Sequence, residues 1–175
     1  MGSPSVFEHF KAVVQLPFVV IVLIPSLIMY FLPEAKSAFW SELSPMSTII
    51  GIACFFLGLA LFIKSVDLFI KIGNGTLAPW NPTRKLIISS LYQFTRNPML
   101  LGVNLILFGL ALTLKSTYIL IWNGIFLLIN QIYFINSEEP KLIQKFGSEY
   151  TEYMNHVPRW IPRLSPWKPS HNKPI

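Results

Sequence analysis

The chain has 175 residues, 53% of them hydrophobic and only 13% charged, with a net charge of +6. A soluble domain carries about 25% charged residues, so this composition leaves no polar coat for a soluble fold. The lone cysteine, Cys54, excludes an internal disulfide scaffold and sits in an apolar run where a thiol is ordinarily inert. The apolar residues come in long blocks, which predicts an all-α integral membrane protein forming one membrane domain over 1–175. The first block, Ala12–Leu32, has no charge and reads as a span. Its Pro17 and Pro25 are tolerable in a membrane helix whose neighbours satisfy the freed carbonyls. The block is too long for a signal peptide, and no small-x-small cleavage site follows Leu32. The second span covers 46–72, with Lys64, Asp67 and Lys71 on one helical face emerging at the membrane surface. The third and fourth spans, Met99–Leu114 and Tyr118–Ile135, are separated only by Lys115-Ser116-Thr117 and form a tight helical hairpin. Gly102 and Gly109, seven apart, and Gly124 suit close helix packing. No internal repeat, low-complexity tract or heptad pattern stands out. The expectation is about four transmembrane helices followed by a C-terminal amphipathic helix.

Of the 14 Lys and Arg residues, 12 fall in the N-terminal segment, the Lys64–Arg96 region and the C-terminal tail. With four spans these regions share one side, which the positive-inside rule places in the cytoplasm together with both termini. The basic balance then reflects topology and attraction to anionic lipid headgroups, not nucleic acid.

Two cytoplasmic segments, 73–98 and 136–175, are unusual. The first holds Gly73-Asn74-Gly75 and Pro79-Trp80-Asn81-Pro82, too dense in turn formers for a helix. Its Gly-x-Gly follows no strand, so a Rossmann reading is rejected. Leu86–Phe94 is an apolar run suited to a short interfacial helix, ending at Arg96-Asn97-Pro98. The second segment opens on Asn136-Ser137-Glu138-Glu139-Pro140. Adjacent carboxylates at a membrane boundary are costly when desolvated and unpaired. Pro140 is expected to kink the helix and aim both carboxylates into one pocket; acids at a helix start also suit its dipole. Leu142, Phe146, Tyr150 and Tyr153 recur at helical spacing, predicting an amphipathic helix in which Gly147 signals close packing. The proline-rich tail 156–169 carries Trp160 and Trp167, which suit the headgroup layer.

Metal binding is unsupported, because His9, His156 and His171 do not pair at ligand spacing. A Ser-His-Asp set is equally unsupported, since Asp67 is the only aspartate. What remains is a cytoplasm-facing set of Arg96, Asn97, Glu138, Glu139, Tyr150, His156 and Arg159. These groups suit a zwitterionic or a dinucleotide cofactor at the interface, with a lipid-like substrate entering sideways.

The runs Gly75-Thr76-Leu77-Ala78-Pro79, Pro82-x-Arg84-Lys85-Leu86 and Tyr92-x-Phe94-x-Arg96-Asn97-Pro98-Met99-x-x-Gly102 resemble the small membrane methyltransferases. That family includes isoprenylcysteine carboxyl methyltransferase and the phospholipid methyltransferases. Glu138-Glu139-Pro140-x-Leu142-x-x-x-Phe146-Gly147-x-Glu149-Tyr150-x-x-Tyr153 and Val157-Pro158-Arg159-x-Ile161-Pro162 resemble the same family. The resemblance spans about Gly73 to Arg163; the first two spans carry no motif of it. It implies a methyl transfer from S-adenosylmethionine to a membrane lipid or lipidated acceptor. It also implies a cofactor pocket walled by Arg96, Asn97, Pro98 and Gly102, faced by Glu138 and Glu139, and closed by Tyr150, His156 and Arg159. Arg96 and Glu139 would be the catalytic pair. Ser90-Leu91 stands where the family carries Gly-Pro, asparagine stands at 97 where many members have histidine, and Leu100 replaces an aromatic residue. These departures leave the acceptor open.

The competing readings are an NADPH-dependent enzyme related to the sterol reductases and a non-enzymatic small transporter or assembly protein. The reductases are longer, and a transporter calls for ionisable residues mid-span. Here the strongly polar mid-span candidates are Gln15, Asn104, Asn123, Asn130 and Gln131, none charged. On the methyltransferase reading, Glu139→Gln or Arg96→Ala weakens cofactor binding without unfolding the bundle.

Overall fold

The structure, a computed structural model, describes residues 15–32, 40, 45–73, 86 and 88–169. The expectations placed on His9, His171, the N-terminal segment and the turn-rich run 74–85 lie outside the described residues. Every regular element among them is helical. The helices are α1 (Gln15–Phe31), α2 (Met46–Gly73), α3 (Pro98–Leu114), α4 (Thr117–Tyr133), α5 (Glu139–Phe146) and α6 (Ser148–His156).

Two helical stretches are long and apolar enough to cross a membrane, Met46–Leu68 and Thr117–Phe146. Gln15–Phe31 and Pro98–Leu114 are equally apolar but shorter. Ile49, Phe56 and Leu57 of α2 and Ile121, Leu128 and Ile132 of α4 turn outward with more than half their surface exposed. Water would penalise such faces; hydrocarbon does not.

The hairpin forms as its sequence predicts. Lys115 ends α3 in the left-handed conformation at φ 54°. Ser116 caps α4, its hydroxyl accepting the Ile119 N–H at 3.3 Å. This satisfies one of the orphan donors of a helix start. At the same end, Trp40 donates its indole N–H to the Thr117 hydroxyl at 3.0 Å.

The core is the seam between α2 and α3. A Cβ added to Gly58 would stand 2.6 Å from the Gly102 carbonyl oxygen, and one on Gly102 2.8 Å from the Gly58 oxygen. Gly51 and Gly109 oppose each other in the same way. The pairing makes the helices antiparallel and brings their backbones into contact. Small residues thus recur every seven positions: Gly51, Gly58 and the buried Ser65 on α2, and Gly102, Gly109 and the buried Ser116 along α3 and its cap. This heptad of small residues, invisible to a search for repeated apolar residues, is the register of the fold. Val103, Ile106, Leu107 and Ala111 complete the buried face of α3. Gly124 has no such role: nothing lies within 4 Å of a Cβ placed there.

Antiparallel α2, α3 and α4 bring the end of α2, the start of α3 and the end of α4 to the same end of the bundle. That end carries Lys64, Lys71, Arg96, Lys141, Lys145, Arg159, Arg163 and Lys168, whereas the hairpin tip carries Lys115.

Pro25 and Pro140 are absorbed the same way. A five-residue π-helical segment, Val19–Leu23, ends two residues before Pro25; another, Phe134–Glu138, ends two residues before Pro140. Proline lacks an N–H and clashes with the carbonyl four residues back. That carbonyl, of Ile21 or Asn136, falls inside the widened turn in each case. The helix therefore runs on from Thr117 through Pro140 to Phe146. Its 30 residues span about 45 Å, longer than the ~30 Å hydrocarbon core, so one end projects beyond it.

Two local expectations change. Within Leu86–Phe94 the described residues form no α-helix: Ser89 is extended and leads into a 3₁₀ turn, Ser90–Gln93. Ser90 there adopts φ 53°, the region that favours glycine, at the position where the resembling family carries one. The single amphipathic helix is in fact two, α5 and α6, hinged at Gly147 (φ 58°, ψ −130°). Gly147 is not there for close packing, since nothing lies within 4 Å of a Cβ. Its backbone angles are the requirement. Gly147→Ala should therefore cost about 1–3 kcal/mol, read as a lower thermal unfolding midpoint. Across the hinge, Leu142 and Phe146 pack with Tyr150, Tyr153 and Val157 against Leu86, Ile88 and Trp167.

Candidate active site

Three separate stretches meet at the mouths of α3 and α4: the residues just before α3, the start of α5, and the tail beyond α6. Backbone bonds fasten them. The Arg96 N–H donates to the Pro158 carbonyl at 2.9 Å, and the Arg163 N–H to the Phe94 carbonyl at 2.9 Å. The Thr95 hydroxyl donates to the Arg159 carbonyl at 2.7 Å, and the Tyr153 hydroxyl to the Tyr92 carbonyl at 2.7 Å. Pro98, fully buried at the first turn of α3, fixes where the extended approach becomes helix.

This fastening sets Arg96 and Arg159 on either side of Glu139. A single carboxylate oxygen, Oε1, accepts from Arg96 Nη1 at 2.5 Å and from Arg159 Nη2 at 2.5 Å and Nε at 3.1 Å. All three side chains are about nine-tenths buried. Arg159 is further held by Gln131, whose Oε1 accepts from Arg159 Nη1 at 2.6 Å and from the Trp160 indole at 2.7 Å. Its guanidinium lies 5.9 Å from the Phe134 ring centroid, a cation–π contact. Tyr150 is buried beside them, close enough to feel the charge of Arg96. Burial raises the Tyr150 pKa, with the Arg96 charge opposing, and burial raises those of Tyr92 and Tyr153 further still. All three hydroxyls stay protonated at neutral pH.

The cluster is not balanced. Two guanidinium groups face one buried carboxylate. The Nε of Arg96 is buried with no hydrogen-bond partner. A buried charged donor left unpaired is costly and marks a position where an acceptor belongs. Glu138, half-buried, adjoins the charges of Glu139, Lys141 and Arg159.

The sequence-predicted residues therefore divide. Arg96, Glu139, Tyr150 and Arg159 come together, with Glu138 alongside. Asn97 and Pro98 flank them at the start of α3, Asn97 half-buried and making no side-chain cap. Gly102 lies a turn deeper, in the α2 seam against Gly58 and Phe62. His156 is exposed at the end of α6, stacked on Trp167 at 5.3 Å with its Nδ1 2.8 Å from the Glu152 carbonyl. Gln131, Phe134 and Trp160 were missed as site residues. A lone glutamine two helical turns before Glu139 in an apolar run was the available signal. Among the described residues no group of His, Cys, Asp or Glu could hold a metal ion.

An apolar all-helical bundle with a buried cluster of two arginines around Glu139 at one end defines a membrane-associated protein. The chain belongs to the phospholipid methyltransferase family, whose model matches residues 46–149. Membership implies a methyltransferase enzyme working at a membrane. The match takes in α2, where no family motif was recognised from the sequence. No curated protein and no solved structure matches the chain.

Proposed function

We propose that the protein is an S-adenosylmethionine-dependent methyltransferase with four spans, both termini and its site on the cytoplasmic side, and a lipophilic or membrane-associated acceptor. The observation that carries this reading is the buried, unpartnered Nε of Arg96 in a cluster with excess positive charge. An arginine fork is the ordinary receptor for a carboxylate, and the methyl donor carries one. Glu138 supplies the complementary acceptor for an ammonium group or ribose hydroxyls, and the Tyr150 hydroxyl closes the wall. Asn97 and Pro98 line the start of α3. Gly102 serves by letting α3 lie against α2, and His156 stands at the rim. When bound, S-adenosylmethionine supplies an electrophilic methyl group. The chain's contribution is to hold the acceptor in line and to exclude water. Two features support the four-span topology: the 17-residue α3 meets the lower limit of about 17 residues for a crossing, and the basic residues gather at one end. The family and the apolar bundle support a lipophilic acceptor, phospholipid amine-like or isoprenylcysteine carboxylate-like.

Titrating the purified full chain with S-adenosylmethionine, S-adenosylhomocysteine and NADPH tests it. The first two should raise the unfolding midpoint and NADPH should not; saturation at 100 times Kd corresponds to about 2.7 kcal/mol. Arg96→Lys, which keeps the charge but loses the fork, should weaken both methyl-donor shifts. No shift with either sulfur compound overturns the assignment.

A further inference from the structure

We propose that the strap Trp160–Lys168 is a lipid-binding surface that seats Ile161 and Leu164 in the boundary layer of an anionic leaflet beside the candidate site.

The strap has no regular secondary structure, yet it is fixed. Its ends are tied to the approach to α3: Arg96 N–H to the Pro158 carbonyl, Arg163 N–H to the Phe94 carbonyl, and Trp167 N–H to the Gln93 carbonyl at 3.1 Å. Pro158, Pro162 and Pro166 restrict the chain between those ties. Whatever points outward is therefore held outward.

The tryptophans do not. Trp160 gives its indole N–H to Gln131 and meets the Phe134 ring edge-on at 6.3 Å. Trp167 is half-buried between His156 and Tyr153, at 5.3 and 5.9 Å. With the aromatic residues turned in, the strap presents Ile161 at 80% exposure and Leu164 at 104%. These are the two most exposed large hydrophobic residues among those described. A soluble surface does not rigidly display such side chains without an apolar partner.

Depth and charge identify that partner. Gln131 stands in the last turn of α4 and Phe134 opens the π-helical segment after it, where Ile132 and Ile135 are half exposed. Trp160 is bonded at that level, so Ile161, the next residue, sits where hydrocarbon gives way to headgroups. From Val157 to Pro169 there is no acidic residue. Arg159 is consumed by Glu139, which leaves Arg163 and the exposed Lys168 beside the two apolar side chains. Apolar tips at the acyl boundary flanked by cations match an anionic leaflet. The tie to Arg96 and Arg159 places this contact where a lipid acceptor would enter.

The test uses the full chain with Cys54→Ala, in nanodiscs of phosphatidylcholine alone or a three-to-one mixture with phosphatidylglycerol. A nitroxide is placed by Ile161→Cys or Leu164→Cys, with the exposed Glu149→Cys as the aqueous reference. Collision accessibility is then measured with oxygen and with a nickel chelate. At 161 and 164 oxygen should prevail, reversing the ratio at 149. The label at 164 should lie deeper in the anionic discs, and Lys168→Glu should remove that difference. Chelate prevailing at both positions overturns the proposal, as does exclusion of both reagents, the mark of a protein partner. Equal depth in the two lipids overturns its anionic part. Neither measurement depends on methyl transfer, so it stands apart from the cofactor titration.

Discussion

Replacing Glu139 by glutamine is expected to lower stability by about 3–5 kcal/mol and to disorder the mouths of α3 and α4. One carboxylate oxygen holds three donors from two arginines, all largely buried. Glutamine keeps the shape but removes the charge, and two guanidinium groups then face each other where water screens little. Coulomb repulsion at such burial exceeds the worth of the remaining hydrogen bonds. The loss should reach the backbone, because the same arginines anchor the approach to α3 and the tail. Thermal unfolding followed by tryptophan fluorescence measures it, since Trp160 and Trp167 report on the site. A second change separates lost charge from lost shape: adding Arg159→Met should return part of the midpoint, because the excess cation is gone. An unchanged midpoint in Glu139→Gln, or no recovery in the double variant, would show that the cluster is not what holds the mouths together. The sequence alone suggested a milder outcome, weaker cofactor binding in a folded bundle. That followed from reading Glu139 as a ligand and not also as a structural counter-ion.

Composition and block length made the helical class legible, and Lys115-Ser116-Thr117 made the hairpin legible. The motif around Arg96 and that around Glu139 were visible as two runs over forty residues apart. The resemblance implied that they meet in one pocket; the means was not legible, because backbone bonds from the tail to the approach of α3 carry it, and backbone bonds leave no side-chain signature. Gln131 was read as a stray polar residue in a span for the same reason: its two partners, Arg159 and Trp160, lie on a segment without periodicity. Pro140 was read as a kink because proline forbids an ordinary α-turn; a π-turn is the alternative, and no residue type announces it. Gly102 carried two readings, close helix packing and a place in the cofactor wall; the structure places its missing side chain at the α2 contact, as the packing reading expects.

That contact yields the second large effect. Gly109→Ala should cost about 1–3 kcal/mol, an overpacking penalty without relief. The added Cβ would stand 2.6 Å from both the Gly51 carbonyl oxygen and the Phe55 nitrogen. Both are backbone atoms of α2, so neither can rotate away as a side-chain tip would. The helices must separate, and the close backbone contact along the seam is lost with its weak Cα–H···O bonds. Gly58→Ala should cost a similar amount, since its Cβ would meet the Gly102 oxygen at 2.6 Å and the Ile106 nitrogen at 2.8 Å. Gly58 lies opposite the first turns of α3, so its variant should also displace Arg96 and weaken any ligand held there. Gly109 lies toward the hairpin tip, so its variant should lose stability with less effect on binding. Gly124→Ala is the internal contrast: with open space around it, alanine should be neutral or stabilise by up to about 1 kcal/mol through helix propensity. Midpoints for the three variants in one detergent decide the matter. Equal shifts at 109 and 124 would remove the seam as the register of the fold. A large loss at 58 and 109 with none at 124 would fix it as the element that holds α3, and with it Arg96, in place.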